Sequence, residues 1–175
     1  RSRRRITTVT TDTLEISGHH MDYDIFLDQD SEISLDNTAV FIDQDLSGHR
    51  EFVSNKAFHQ MDTEQYYRLL RKTLERVEKI TGLEIVIAKH PHALSADPER
   101  FLPNWRIVQG RTLELIRRCR LVIAHNSAAI ASVVLNRKPL LLVFSKDYID
   151  SSHWNPVSHY PLADALERNC LYLED

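Results

Sequence analysis

Apolar and polar positions along this chain follow two rhythms. Short apolar runs recur through its middle: TAVFI at 38–42, LEIVIA at 83–88, RIVQ at 106–109, LVIA at 121–124 and LLLVF at 140–144. Such runs, bounded by turn residues, predict strands, and the unbroken apolarity of 140–144 predicts one buried on both faces. A different period fills 63–81 (TEQYYRLLRKTLERVEKIT), where Tyr66, Leu69, Leu70, Leu74 and Val77 recur every three or four residues. That spacing predicts an amphipathic helix, with Asp62 or Thr63 able to cap its start and Gly82 to close it.

Shorter segments complete the pattern. Residues 112–119, with Leu113, Leu115 and Ile116, fit a helix. The small apolar run 128–135 suits a helix packed closely on a sheet. Residues 164–168 read as a short helix and 171–173 as a last strand. The stretch 92–105 carries two further prolines and reads as a long loop. Before residue 38 the pattern is irregular, with strand candidates at 6–11 and 23–27. Residues 1–37 are therefore expected to be an amino-terminal segment or linker with short strands, and 38–175 the folded domain. Ile25–Asp30 (IFLDQD) echoes Val40–Asp45 (VFIDQD), at a spacing too short for a strand-helix-strand repeat.

Strands alternating with helices predict an α/β fold, a parallel sheet covered on both faces. In such sheets ligands bind beyond the carboxyl ends of the strands, so the polar residues at those ends are the candidates for chemistry. They form four groups: Asp43-Gln44-Asp45-Leu46-Ser47-Gly48, Lys89-His90-Pro91, Gly110-Arg111-Thr112 and His125-Asn126-Ser127.

Composition narrows the function classes. With 175 residues the chain suits one domain, and a formal net charge of −3 disfavours nucleic-acid binding through bulk charge. Two widely separated cysteines make no disulfide framework and suit a reducing cytoplasm. No apolar run reaches the ~20 residues of a membrane helix. The basic opening, RSRRR, suits a solvated terminus or linker, and also peripheral contact with an anionic membrane surface. The first residue is Arg1 rather than methionine, which fits a fragment or processed chain whose amino-terminal domain lies outside it. With four glycines and neither a phosphate-binding P-loop nor a G-x-G-x-x-G fingerprint, P-loop enzymes and ordinary dinucleotide dehydrogenases are disfavoured. Nine histidines raise the question of zinc, yet Pro91 interrupts His90-x-His92 and no third ligand stands at informative spacing. No metal is expected.

Each group carries a specific chemistry beside a plainer structural role. Ser127, at a helix start, offers a hydroxyl and nearby backbone N–H groups to a phosphate, with Ala128 leaving room for close approach. Taken by itself, Ser127 reads first as a helix cap. His90 can donate a hydrogen bond to a phosphate, Lys89 adds positive charge, and Pro91 fixes the backbone after the histidine. His90 also reads as a surface histidine. Gly110 permits a tight turn, and Arg111 or Thr112 could meet a base, ribose or phosphate, or Thr112 could simply cap. Asp43-x-Asp45 could hold a divalent metal on a diphosphate; a loop shaping the site through Asp43, Gln44, Ser47 or Gly48 is the preferred reading.

Taken in order, IVIAKHP at 85–91, Gly110-Arg111-Thr112, LVIAHNS at 121–127 and Lys138-Pro139 before an apolar strand resemble the donor-binding, carboxyl-terminal domain of GT-B glycosyltransferases. More narrowly they resemble bacterial capsule and surface-polysaccharide enzymes, including sialyltransferases and Kdo transferases. The resemblance spans about residues 38–145. It implies a Rossmann-like sheet forming one half of a GT-B fold. It implies that His90 contacts the donor phosphate and assists its departure. Ser127 and the backbone after it, Asn126 and Ala128 beside it, would bind the same phosphate, with Gly110 and Thr112 next to the nucleotide. The partners implied are a nucleotide sugar as substrate and a glycan or lipid-linked acceptor, in the cytoplasm or at the inner face of the membrane, with no cofactor. In that family the general base usually comes from the other domain. The helix after the serine lacks the acidic residue that often holds the ribose. A CDP-glycerol-type phosphotransferase, which shares similar motifs, and a non-catalytic α/β binding module are the alternatives.

Overall fold

A computed structural model describes residues 13–14, 18–19, 21–28, 33–46, 62–93, 97–146, 159–167 and 169–175. The basic run at 1–5, the expected strand at 6–11, and Ser47 and Gly48 lie outside them.

Among the described residues the elements run α1 (Met21–Leu27), β1 (Thr38–Ile42), α2 (Thr63–Thr81), β2 (Glu84–Lys89), α3 (Asp97–Phe101), β3 (Arg106–Gln109), α4 (Thr112–Arg118), β4 (Leu121–Ala124), α5 (Ile130–Leu135), β5 (Leu140–Phe144), α6 (His159–Ala165) and β6 (Cys170–Tyr172). All six strands are parallel and stand in the order β3-β2-β1-β4-β5-β6. The expected Rossmann-like α/β sheet is what forms.

Side chains alternate across the strands and build two cores. Ala39, Phe41, Ile85, Ile87, Ile123 and Val143 face Tyr66, Tyr67, Leu70 and Leu74 of α2. Val40, Ile42, Val86, Ala88, Val122, Ala124 and Phe144 face Ile116 of α4, Ile130 and Val133 of α5, and Ala163 of α6. The helices change face where the strand order changes direction, as crossovers of one hand require. Both faces of β1 are therefore covered, and all five of its residues are buried.

Helix α2 is delimited as its sequence dictates. Asp62 Oδ1 accepts from the Gln65 N–H at 3.1 Å. Gly82 turns left-handed at φ 68° and donates its N–H to the Glu78 carbonyl.

Four expectations need correction. Residues 23–27 belong to a helix, α1, rather than a strand; a five-residue apolar run does not separate the two, and packing beside α5 decides. Within the echo between 25–30 and 40–45, residues 25–27 are helical whereas 40–42 form a strand. The loop 92–105 contains α3, whose Pro98 sits in a first turn, where a missing N–H costs nothing. Helix α5 begins at Ile130, two residues later than expected. The helix expected at 164–168 lies earlier, at His159–Ala165.

Candidate functional site

Because every strand is parallel, the candidate groups emerge at one edge, and the strand order decides which are neighbours. The chain steps outward from β1 to β2 and β3, then returns to the opposite side of β1 as β4. At such a reversal the loops following two adjacent strands diverge to opposite faces and leave a crevice between them. Here the reversal falls between β1 and β4.

On the β1 side, Asp43 continues the ladder, its N–H donating to the Ala88 carbonyl at 3.0 Å. The residue is only 2% exposed. Oδ1 accepts from the Asp45 N–H at 3.2 Å, whereas Oδ2 has no hydrogen-bond partner. Burial pushes the carboxyl pKa up to about 6, with the neighbouring Asp45 charge adding to the rise and Asp45 N–H and Lys89 opposing it. Asp45 is also buried and takes a left-handed backbone, φ 51°, which turns the chain away from the strand. Gln44 joins the ends of β1 and β4, its Oε1 accepting from the Asn126 N–H at 3.4 Å.

On the β4 side, His125 is buried, with Nδ1 2.5 Å from the Val143 carbonyl and Nε2 2.7 Å from the Tyr66 hydroxyl. A carbonyl only accepts, so Nδ1 carries the proton and Nε2 accepts from tyrosine. Burial lowers the pKa of this ring to about 4, against the pull of the Val143 bond. Asn126 and Ser127 follow, both half-buried, and Ala128 is exposed. Ser127 Oγ accepts from the Ala129 N–H at 3.3 Å and its carbonyl from the Ile130 N–H at 3.0 Å. The serine therefore closes a turn ahead of α5; a hydroxyl that captures a nearby backbone N–H delays the helix.

On β2, Lys89 is the last strand residue rather than the first loop residue. Its ammonium is held by Glu99 of α3 at 2.7 and 2.9 Å, so a carboxylate already matches its charge. His90 is half-buried, and its Nδ1 accepts from the His92 N–H at 3.3 Å. In the neutral ring this leaves Nε2 as the protonated nitrogen, a hydrogen-bond donor. The carbonyls of His90 and Pro91 accept from Gln109 Nε2 at 3.0 and 3.1 Å. The last residue of β3 thereby clamps the His-Pro turn.

After β3, Gly110 is left-handed at φ 77°, a conformation that strains other residues. Arg111 occupies the cap position of α4 without a capping side-chain bond and pairs with Glu114. Thr112 is the first helical residue, not the cap. Asp43, Gln44, Lys89, His90, Asn126 and Ser127 thus line three neighbouring strand ends, β2-β1-β4, and Gly110 and Thr112 lie one strand farther out.

A separate concavity lies on the outer surface of α2 where it meets α3, lined by Gln65, Arg68, Arg71, Lys72 and Phe101 together with Asp62, Glu64 and Glu75. It contains none of the strand-end residues and its charges are mixed. Among the described residues no cluster of three histidine, cysteine or acidic side chains could hold a metal ion, and no helix is long and apolar enough to cross a membrane. Cys119 and Cys170 are both free thiols.

Three contributors have no chemical role of their own in the sequence reading: Tyr66, His125 and Gln109. Tyr66 looks like one more apolar-face residue of α2, and His125 like a prefix to Asn126-Ser127. Gln109, a polar residue ending a short strand, carried the only usable signal. Comparison of the sequence with protein families and with curated proteins found no match to either.

Proposed function

We propose that this chain is the donor-binding domain of a glycosyltransferase that moves a sugar from a nucleotide sugar to a glycan or lipid-linked acceptor in surface-polysaccharide synthesis. What supports the reading is the strand order. It makes neighbours of the His-Pro turn, the Asp43-Gln44 segment and the Asn126-Ser127 loop around the reversal of the sheet. The order of motifs along the chain points the same way.

In this reading the donor phosphate sits between His90 and the Ser127–Ala128 turn. His90 Nε2–H and the Ser127 hydroxyl donate to its oxygens. Gly110 and Thr112 flank the nucleotide, and Asp43 and Gln44 shape the floor of the crevice. The acceptor hydroxyl oxygen attacks the anomeric carbon. The bond from that carbon to the phosphate oxygen breaks, and the phosphate leaves with the electron pair. Donors already aimed at the leaving oxygen stabilise the charge that develops there. Lys89 acts on the structure instead, tying α3 to β2 through Glu99. The base that takes the acceptor proton comes from a second domain, and the reaction proceeds in the cytoplasm or at the inner membrane face without a metal.

A polypeptide carrying this domain, assayed side by side with nucleotide-sugar and CDP-glycerol donors, tests the reading. Turnover of a nucleotide sugar, lowered about a hundredfold or more by His90→Ala, is expected for a lost leaving-group donor. Turnover of CDP-glycerol alone would move the chain to phosphotransfer, and unchanged turnover in His90→Ala would remove the role given to that residue.

A further inference from the structure

His125 stands one residue before the loop assigned to the donor phosphate, yet the residue is 1% exposed and both its ring nitrogens are engaged inside the protein. The Tyr66 hydroxyl comes from the first turn of α2, and the Val143 carbonyl from β5. Phe41 of β1 meets the imidazole edge-on, at 5.5 Å between ring centres and 87° between planes. One ring therefore joins α2, β1, β4 and β5 around the reversal of the sheet. An apolar side chain would fill this space without desolvating two nitrogens. What the imidazole adds is direction, because two hydrogen bonds fix its rotation and with it the backbone of its own residue. The next residue, Asn126, gives its N–H to Gln44, which follows the neighbouring strand β1. The backbone entering the Ser127 turn is thus held from both sides of the reversal.

We propose that Tyr66 and His125 are positioning residues that set the backbone of 126–129 for the anionic group of the bound nucleotide. The ligand named here rests on the donor-binding reading; the positioning itself does not. Neither side chain touches the ligand, and Tyr66→Phe is expected to loosen the turn while leaving the aromatic packing against Tyr67 in place.

Three variants test this: Tyr66→Phe, the double variant Tyr66→Phe/His125→Leu, and Val77→Ala as a control that weakens the same helix at its far end. Backbone hydrogen exchange without ligand, melting temperature, and titrations with CMP, CDP, UDP and GDP below the melting range are measured on each. Tyr66→Phe is expected to speed exchange across 126–130 but not across 84–89, and to weaken nucleotide binding about tenfold, the scale of one hydrogen bond withdrawn from a buried group. Val77→Ala should lower the melting temperature without either change. The double variant removes the polar pair altogether, and binding should stay weakened even where stability recovers. Exchange across 126–130 that is unchanged in Tyr66→Phe, or raised as much by Val77→Ala, overturns the proposal, as does a double variant that binds like wild type. Should the wild type bind none of the four nucleotides, the donor reading falls, and the exchange comparison still decides the positioning role.

Discussion

Asp43 and His125 end adjacent strands and carry opposite electrostatic burdens. Asp43 is held above its ordinary range, at about 6 instead of 3.8, because burial disfavours its charge. Its native state therefore binds more proton than the unfolded chain between pH 4 and 6, and the carboxylate destabilises the fold above pH 6. Each tenfold change in proton affinity corresponds to about 1.4 kcal/mol, so the ionised group costs on the order of 3 kcal/mol at neutral pH. Asp43→Asn should raise unfolding free energy at pH 7 by up to about 3 kcal/mol in urea titrations, with the gain fading as pH falls from 6 to 4. A variant no more stable at pH 7 than wild type would show that the carboxylate has a partner in solution. His125 is displaced the other way, to about 4 instead of 6.5. Its native state refuses a proton that the unfolded chain accepts, so its contribution is lost as pH falls from about 6.5 to 4. Replacing it with leucine should make the variant less sensitive to acid than wild type across that window. An unchanged pH dependence would contradict the buried, neutral imidazole.

At the scale of the element, legibility followed the number of independent signals. Helix α2 had three that agreed: an Asp62 cap, a sustained apolar period and a terminal glycine. Its boundaries emerge as written in the sequence. Nothing stands within 4 Å of a methyl group placed at Gly82, so only the left-handed backbone resists substitution there. Gly82→Ala is expected to cost about 1 kcal/mol, and Asp62→Ala about the same through the lost cap. Thermal or urea unfolding measures both, and losses well below 0.5 kcal/mol would deny the caps their role. The short elements had one signal each. A five-residue apolar run gives no means of separating the helix at Met21–Leu27 from a strand, and two prolines make 92–105 read as a loop although the first-turn position of Pro98 suits a helix start. Helix α5 starts later than its apolar run implies because Ser127 caps an N–H of a turn and not of the helix proper.

At the scale of the molecule, alternation of strands and helices dictated a parallel sheet, and a parallel sheet puts every βα loop at one edge. That much of the site was readable: four groups, one edge. Which groups touch was not, because strand order is settled by how the two helical layers pack, and no local pattern records it. The order β3-β2-β1-β4-β5-β6 is what sets Gln44 against Asn126 and leaves Gly110 and Thr112 on the flank. It is also what makes His125 and Tyr66, residues 59 apart in sequence, into one buried pair.

The central claim is that the reversal of the sheet between β1 and β4 receives the phosphate of a nucleotide. The most direct measurement titrates the chain with CMP, CDP, UDP and GDP, with and without magnesium, on wild type, His90→Ala, Ser127→Ala and, as a control in the separate concavity, Arg68→Ala. One nucleotide should bind equally well with and without the metal, and both strand-end substitutions should weaken it about tenfold or more, the scale of a lost charge-assisted hydrogen bond, with Arg68→Ala unchanged. Binding that requires magnesium, that survives both strand-end substitutions, or that is absent for all four nucleotides would contradict it.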